Sequence, residues 1–598
     1  MKKILRFLQI ITLLCIVNFI ISISLITSKT KTTKQNKEDK GNIVVIHELG
    51  DPDKIQPSNS TSANSTYIEG NIFMTLLGNE STPPFKSYGY LAESTPKTTE
   101  LYDGTVKYEY RLRDEATWDN GTPVTGADVL FSYKVYQTEY VDCEHLRGYM
   151  DFIIDVQLDQ KDPKKVNFIT KKYFLGEAWT GYWVLPRYNY DRNNILEKFS
   201  FKEIKNKTYK SNTQKDNMLR EFAEEYNSEK FQREKEYISG CGPYEFVEWV
   251  TGQRIKLKKK ENWWGDKLAS KDNNHFDANP EEIIYEIIND YTTAITAMKD
   301  GSIDVMRSVP AKNFVNLKEN KKFLEKYSLH TPVAMSYLYI GMNMDHPILS
   351  DLNVRKAFSH MVDRQKIIDQ LYKGYAQEVS GPIHPTKAYY NREIKPYEYD
   401  IKKAEQLLNE SGWTDSDGDG IRDKIVDGEK VDMKFTFKYN TGNDIRQNIG
   451  LMFQQDAKRL GIEIEILGRE WTVYLDEVKS HKFEFNCLGW VQGTGLDDFR
   501  QIWHTESING GSNYVSFGDN TSDKIIEEIQ QELNEEARNK LYKEFQNIIH
   551  GQAPYIFLCS SQERISINNR FEAQSYIARP GYNEKEFTLK NNLAATAQ

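Results

Sequence analysis

The clearest hydrophobic pattern in the chain runs from Tyr108 to Tyr136. Lys107–Leu112 alternates, with Tyr108, Tyr110 and Leu112 on one face, as a half-buried strand does. Asn120-Gly121 is turn chemistry, because glycine tolerates positive φ. Thr125 with Asp128 three residues on has capping-box spacing, which predicts a helix opening near Gly126 and running through Val129, Phe131, Tyr133 and Val135.

The same periodicities extend along the chain. They predict a strand at Asn42–His47, a helix at Ile68–Leu77, a charge-rich helical excursion at Thr208–Lys235 and a strand at Ile283–Ile288. Ala294–Met298, Asp300-Gly301 and Ile303–Val305 read as helix, turn and strand, and Leu338–Asn343 as the next strand. Val354, Ala357, Phe358 and Met361 form the buried stripe of a helix over Asp351–Asp363. Ala404–Trp413 is a helix that Gly412 ends. Met433–Tyr439, Asp444–Leu460 and Ile462–Leu467 form a strand–helix–strand unit, followed by a helix from Glu470-Trp471 and a strand at Phe483–Trp490. Asn539–Ile549 is a helix and Pro554–Cys559 an apolar strand. Strands alternating with helices of this length predict an α/β protein with a parallel sheet.

Composition narrows the class. At 598 residues the chain exceeds one core and divides into two or three domains. A charged share of 28% and a net charge of -9 describe a solvated, mildly acidic surface, which argues against a nucleic-acid partner. Lys2, Lys3 and Arg6 precede an uncharged run from Phe7 to Ser28. Residues 1–28 therefore read as a signal peptide cut near Ser24 or as an uncut membrane anchor. Leu14 is too bulky before Cys15 for lipid attachment. Residues 29–41 are a polar tether, and the body lies outside the cytoplasmic membrane, in the periplasm or at the cell surface.

Chemistry-bearing motifs are few. Cys143, Cys241, Cys487 and Cys559 are far apart with no C-x-x-C pattern, and read as small buried thiols. No G-x-S-x-G, H-E-x-x-H or P-loop is present. Asp415, Asp417, Asp419 and Asp423 lie in a Gly-bent loop whose spacing suits calcium, but no Glu closes the loop. A surface turn is the favoured reading there, with no metal and no cofactor.

Taken in order, several short stretches resemble the peptide/nickel class of extracellular solute-binding proteins, family 5. They are Tyr108–Tyr136, Leu91–Ser94, Gly240-Cys241-Gly242-Pro243-Tyr244 (with Cys where the family usually has Thr), Val354–Arg364 and the segment from Leu488-Gly489-Trp490 to Tyr514. The resemblance covers roughly residues 42 to 575 and implies a two-lobed periplasmic-binding-protein-like α/β fold. It implies an extra subdomain in the first lobe and two hinge-crossing strands, near Leu329–Leu338 and Tyr555–Ser560. The domains expected are lobe I at 42–330, lobe II at 331–557 and a return segment at 558–598. The implied function is non-enzymatic: a monomeric binding component of an ABC importer captures a peptide or similar ligand by lobe closure and hands it to a membrane permease. A surface peptide sensor or adhesin, or more distantly an acid-catalysed hydrolase, are the alternatives.

The implied ligand contacts are Trp490, Gly493, Asp497, Asp498, Asn513, Tyr514 and Asn440. Gly493 stands where dipeptide-binding members place an Asp against the peptide amine, so Asp497 or Asp498 would have to replace it; otherwise both acids face water and steady the loop before Phe499. Asn440 stands where those members hold the peptide carboxylate with Arg, and Arg446 is the nearest replacement. These departures favour oligopeptides or another ligand over strict dipeptides. For Trp490, a core position and a pocket position compete evenly.

Overall fold

The computed structural model describes residues 41–172, 181–270, 273–426 and 428–590. The expectations for the signal or anchor segment, and for the tether up to residue 40, lie outside the described residues. No helix among the described residues is long and apolar enough to cross a membrane.

Two sheets organise two lobes. The first has seven strands in the order Tyr327–His330, Ile565–Asn568, Val305–Met306, Ile43–Glu48, Glu282–Ile287, Arg254–Lys259, Tyr244–Val250. The second has six: Ala376–Glu378, Tyr555–Ser561, Ser336–Met342, Phe485–Val491, Lys434–Asn440 and Glu463–Arg469. The strand–helix–strand unit folds as its pattern predicts, with Lys434–Asn440 parallel to Glu463–Arg469 and the helix Asp444–Lys458 between them in sequence. The sheet as a whole is mixed rather than parallel, because Ser336–Met342 runs antiparallel to both Phe485–Val491 and Tyr555–Ser561. Phe358, Phe435, Phe453 and Phe485 interlock edge to face in this lobe's core.

The chain changes sheet twice, between His330 and Ser336 and again between Ser561 and Ile565. The second passage lies beyond the expected Tyr555–Ser560, because that strand pairs with Ser336–Met342 and stays in the second sheet. The two passages are joined to each other: Ala334 N donates to the Ser561 carbonyl at 2.8 Å and Glu563 N to that of Pro332 at 2.8 Å.

The Tyr108–Tyr136 stretch builds a further layer on the first lobe. Val106–Arg111 joins a four-stranded antiparallel sheet and buries Tyr108 and Tyr110. The helix Gly126–Gln137 starts where Asp128 accepts from Thr125 N at 2.9 Å, the half of a capping box that satisfies the cap's own amide. The Thr208–Lys235 excursion supplies the helix Thr213–Tyr226, whose Leu219, Phe222, Ala223 and Tyr226 pack against Phe131 and Val135 of that central helix. Each buried aromatic there contributes roughly 1.5–3 kcal/mol.

Three helix expectations need correction. The helix expected at Ile68–Leu77 spans Ala63–Ile72; Ser62 caps it by accepting from Ser65 N at 3.1 Å, and Leu77 opens a strand instead. Its first turn is polar, so apolar periodicity could not register it. The Asp351–Asp363 helix stops at His360, and Asp363 caps a second helix, Arg364–Leu371. The Asn539–Ile549 helix runs from Glu535 to Gln552 behind an Asn534 cap.

Glycine is required on both sides of Cys241. A Cβ on Gly240 would lie 2.1 Å from the Ile72 carbonyl oxygen, and one on Gly242 2.7 Å from that of Asn71. The Cys241 carbonyl accepts from the indoles of Trp263 at 2.8 Å and Trp264 at 2.9 Å. All four described cysteines are free and buried, and burial raises each thiol's pKa, as inert core thiols require.

Candidate functional site

The interior strand Phe485–Val491 carries Trp490 to its C-terminal end, where Tyr337 pairs with it across the ladder. Trp490 is half-buried, and Tyr514 stacks on it with ring centroids 5.9 Å apart and planes at 21°. Val491 beyond it is 58% exposed, so the strand passes from core to open surface within two residues.

The chain then forms a loop over residues 492–499. Gln492 fixes its start, donating from its backbone to Met335 at 2.7 Å and from its side chain to Pro382 at 2.6 Å. Beneath the loop lies Lys387, whose side chain is 3% exposed. Its ammonium donates to the Gly493 carbonyl at 2.8 Å, also to that of Gly495, and lies 3.9 Å from the Asp497 carboxylate. Asp497 accepts from the Tyr389 hydroxyl at 2.8 Å, and the Tyr542 hydroxyl donates to the Asp497 carbonyl at 2.6 Å. The rings of Tyr389 and Tyr542 stack at 4.1 Å. Burial pushes the Asp497 carboxyl up and the Lys387 ammonium down, while the attraction between the two opposes both shifts.

Asp498 turns to the other side, accepting from Arg500 N at 3.0 Å and from the Gln530 amide at 2.9 Å. Both acids are half-buried and bonded to the protein, and neither is turned wholly to water. Asn513 is fully buried and holds the neighbouring turn, its amide donating to the carbonyls of His504 and Phe517. It therefore supports Tyr514 and does not present its own side chain. Asn440 ends the strand Lys434–Asn440 and accepts from Arg446 at 2.7 Å; the Arg446 guanidinium lies 5.9 Å from the ring of Trp471, which is 46% exposed. The replacement arginine thus sits beside the position it would replace.

The first lobe meets this loop through residues that sequence reasoning missed. Phe85, on the hairpin of Leu77–Asn79 and Ser87–Gly89, places its ring 5.7 Å from the Lys387 ammonium. A Cβ on Gly495 would come within 3.9 Å of the Asn79 amide nitrogen. Asp498 and Tyr514 both act electrostatically on Tyr149, which is 49% exposed. Nothing in the local pattern around Phe85 points it toward the second lobe. Lys387 and Tyr389 lie in an irregular stretch with no periodicity to flag them.

Two other places were weighed. A cavity of about 930 Å³ opens in the first lobe beside Trp118, Asp119, Tyr188, Lys260 and Trp263. Among its polar groups, Lys260 and Ser239 both bond Asp119, and Ser239 bonds Tyr188. In the Asp-rich loop, Asp415, Asp417 and Asp419 bring carboxylate oxygens within 4.8 Å of one another, but Asp423 is not among them. Asp423 is buried and bonds Ser416, Asp415 accepts from Gly418 N and Gly420 N, and Asp417 pairs with Lys430. Those bonds are what a surface turn needs.

Residues 86–512 match the model of bacterial extracellular solute-binding proteins, family 5 Middle. The chain belongs to that family. Within it, the oligopeptide-binding protein AppA of Bacillus subtilis (strain 168) is 27% identical over 549 residues, 90% of each chain. The structure of Bacillus subtilis AppA in complex with a nonapeptide superposes with a TM-score of 0.67 at 26% identity, covering 92% of this chain and 99% of that one. NikZ from Campylobacter jejuni, in complex with Ni(L-His), superposes with a TM-score of 0.66 at 21% identity, over 89% of this chain and 95% of that one. The fold is therefore the two-lobed fold of family 5 solute-binding proteins.

Proposed function

We propose that this protein is the extracytoplasmic substrate-binding component of an ABC importer and captures oligopeptides between its two lobes. The observation that carries the reading is the surface around Trp490: a stacked aromatic pair, an open strand end and a loop braced from below, faced by Phe85, Asn79 and Tyr149. Aromatic faces and backbone edges grip a peptide main chain whatever its side chains, which suits a carrier of varied oligopeptides. Correspondence over nearly the whole chain with a structure holding a nonapeptide supports a long ligand rather than a dipeptide.

Lobe I comprises the first-sheet segments, lobe II the second-sheet segments, and the passages at 331–335 and 562–564 are the hinge. The chain acts as a monomer and does not turn its ligand over. Export is led by the N-terminal apolar run, with cleavage near Ser24 favoured over anchoring. Mass spectrometry of peptides co-purifying with residues 42–598, followed by calorimetry, tests the reading. Retained peptides released intact are the expected result, and repeated hydrolysis by purified protein would overturn it.

A further inference from the structure

The loop over residues 492–499 has the makings of a cation site. Two carbonyl oxygens, from Gly493 and Gly495, and the Asp497 carboxylate converge on one position. That position is filled by the chain's own Lys387 ammonium, whose side chain is 3% exposed. Asp497 also accepts from the Tyr389 hydroxyl at 2.8 Å, with the Gln492 amide further off at 3.4 Å. Asp498, the other carboxylate of the loop, is bonded to Arg500 N and Gln530. The Phe85 ring closes over the ammonium from the opposite lobe.

We propose that Lys387 is a specificity-determining residue: it supplies from within the protein the positive charge this loop would otherwise draw from a ligand's amino terminus. The cleft then takes peptides irrespective of N-terminal charge, so blocked and free peptides are equivalent ligands. An incoming ammonium offered to this loop meets a site already neutralised, and gains no charge-assisted bond by entering. The outer surface left to the ligand is the exposed Gly493 backbone and the half-buried Trp490 ring, backed by the buried Tyr514, which offer no partner for a terminal charge.

The inference rests on the peptide reading, and one competition separates the two. Purified protein is offered equimolar pools of random nonapeptides, one with free and one with acetylated amino termini. Retained peptides are then identified by mass spectrometry after gel filtration. The expected result is retention of both pools in proportions within about threefold, since a lost charge-assisted hydrogen bond would show as about tenfold or more. Depletion of the acetylated pool by that factor overturns the inference while leaving peptide capture standing. Retention of neither pool overturns both. Lys387→Met removes the inner ammonium, and the variant is expected to acquire a preference of about tenfold for the free-amine pool. A folded variant, checked by circular dichroism, that still treats the pools alike overturns the role of Lys387. If the variant does not fold, the wild-type competition decides alone.

Discussion

The bracing of the 492–499 loop can be tested by removing a single oxygen. In Tyr389→Phe the ring remains, and with it the 4.1 Å stack on Tyr542, so little packing changes. Two bonds are lost: the hydroxyl's donation to Asp497 at 2.8 Å and its acceptance from Asp497 N at 3.2 Å. A bond to an ionised group is worth about 1.5–3 kcal/mol and a neutral one about 0.5–1.5, so the loop should lose roughly 2–4 kcal/mol wherever Asp497 is ionised. The surviving side-chain donors, Gln492 at 3.4 Å and Lys387 at 3.9 Å, are too distant to make up the difference. Local opening is the direct readout, because this loop can detach without unfolding either lobe. Amide hydrogen exchange over residues 492–499 should accelerate about 30-fold or more in the variant, given tenfold per 1.4 kcal/mol. The penalty should also depend on pH. Burial holds the folded Asp497 carboxyl above its ordinary range, so ionisation costs stability as pH rises through that window. On acidification the carboxyl is protonated and only neutral bonds are at stake, so the difference between wild type and variant should shrink. An acceleration below about twofold at every pH would refute the hydroxyl's role.

Three further outcomes are expected. Asp304 is fully buried, paired with Arg570 through two bonds of 2.8 Å and bonded to Val45 N; Asp304→Ala should destabilise by about 3–5 kcal/mol in urea titrations, and a loss below 1 would show the pair to be hydrated. Glu69 is buried and accepts from Ser60, and burial pushes its carboxyl up to about 8, so folding retains its proton and stability falls as pH rises from 4.5 to about 8. Glu69→Gln should flatten that fall, and melting curves with an unchanged slope would exclude Glu69 as its source. Gly240→Ala drives a methyl into the Ile72 carbonyl and should cost more than Gly121→Ala, where nothing lies within 4 Å and only the positive φ is strained; equal melting temperatures would contradict the close approach.

What was legible in the sequence was periodic. The Gly126–Gln137 helix, the parallel unit around Asp444–Lys458 and the Gly412 stop follow from spacing and caps that act within a few residues. Ala63–Ile72 was misplaced because its first turn is polar and held by Ser62, so burial came from contacts made later in the chain. At the site, Trp490 and Tyr514 could be named from their segment, and the structure stacks them. Lys387, Tyr389 and Phe85 could not, since each acts across 100 residues or more, on backbone carbonyls, a carboxylate or an ammonium that no local pattern announces. Asp497 and Asp498 looked available because a sequence shows carboxylates but not their donors.

The paired indoles of Trp263 and Trp264 address an atom that every residue type carries, the carbonyl oxygen of position 241. A small side chain of another kind there leaves both bonds intact, so Cys and the Thr more usual in the family are two spellings of the same turn. Meaning at this place is written in the backbone, and in the flanking residues that let it pass: glycines that leave room for Asn71 and Ile72, and tryptophans long enough to reach inward. A substitution matrix would mark position 241 as the departure, yet its side chain is the part of the turn that neither indole addresses.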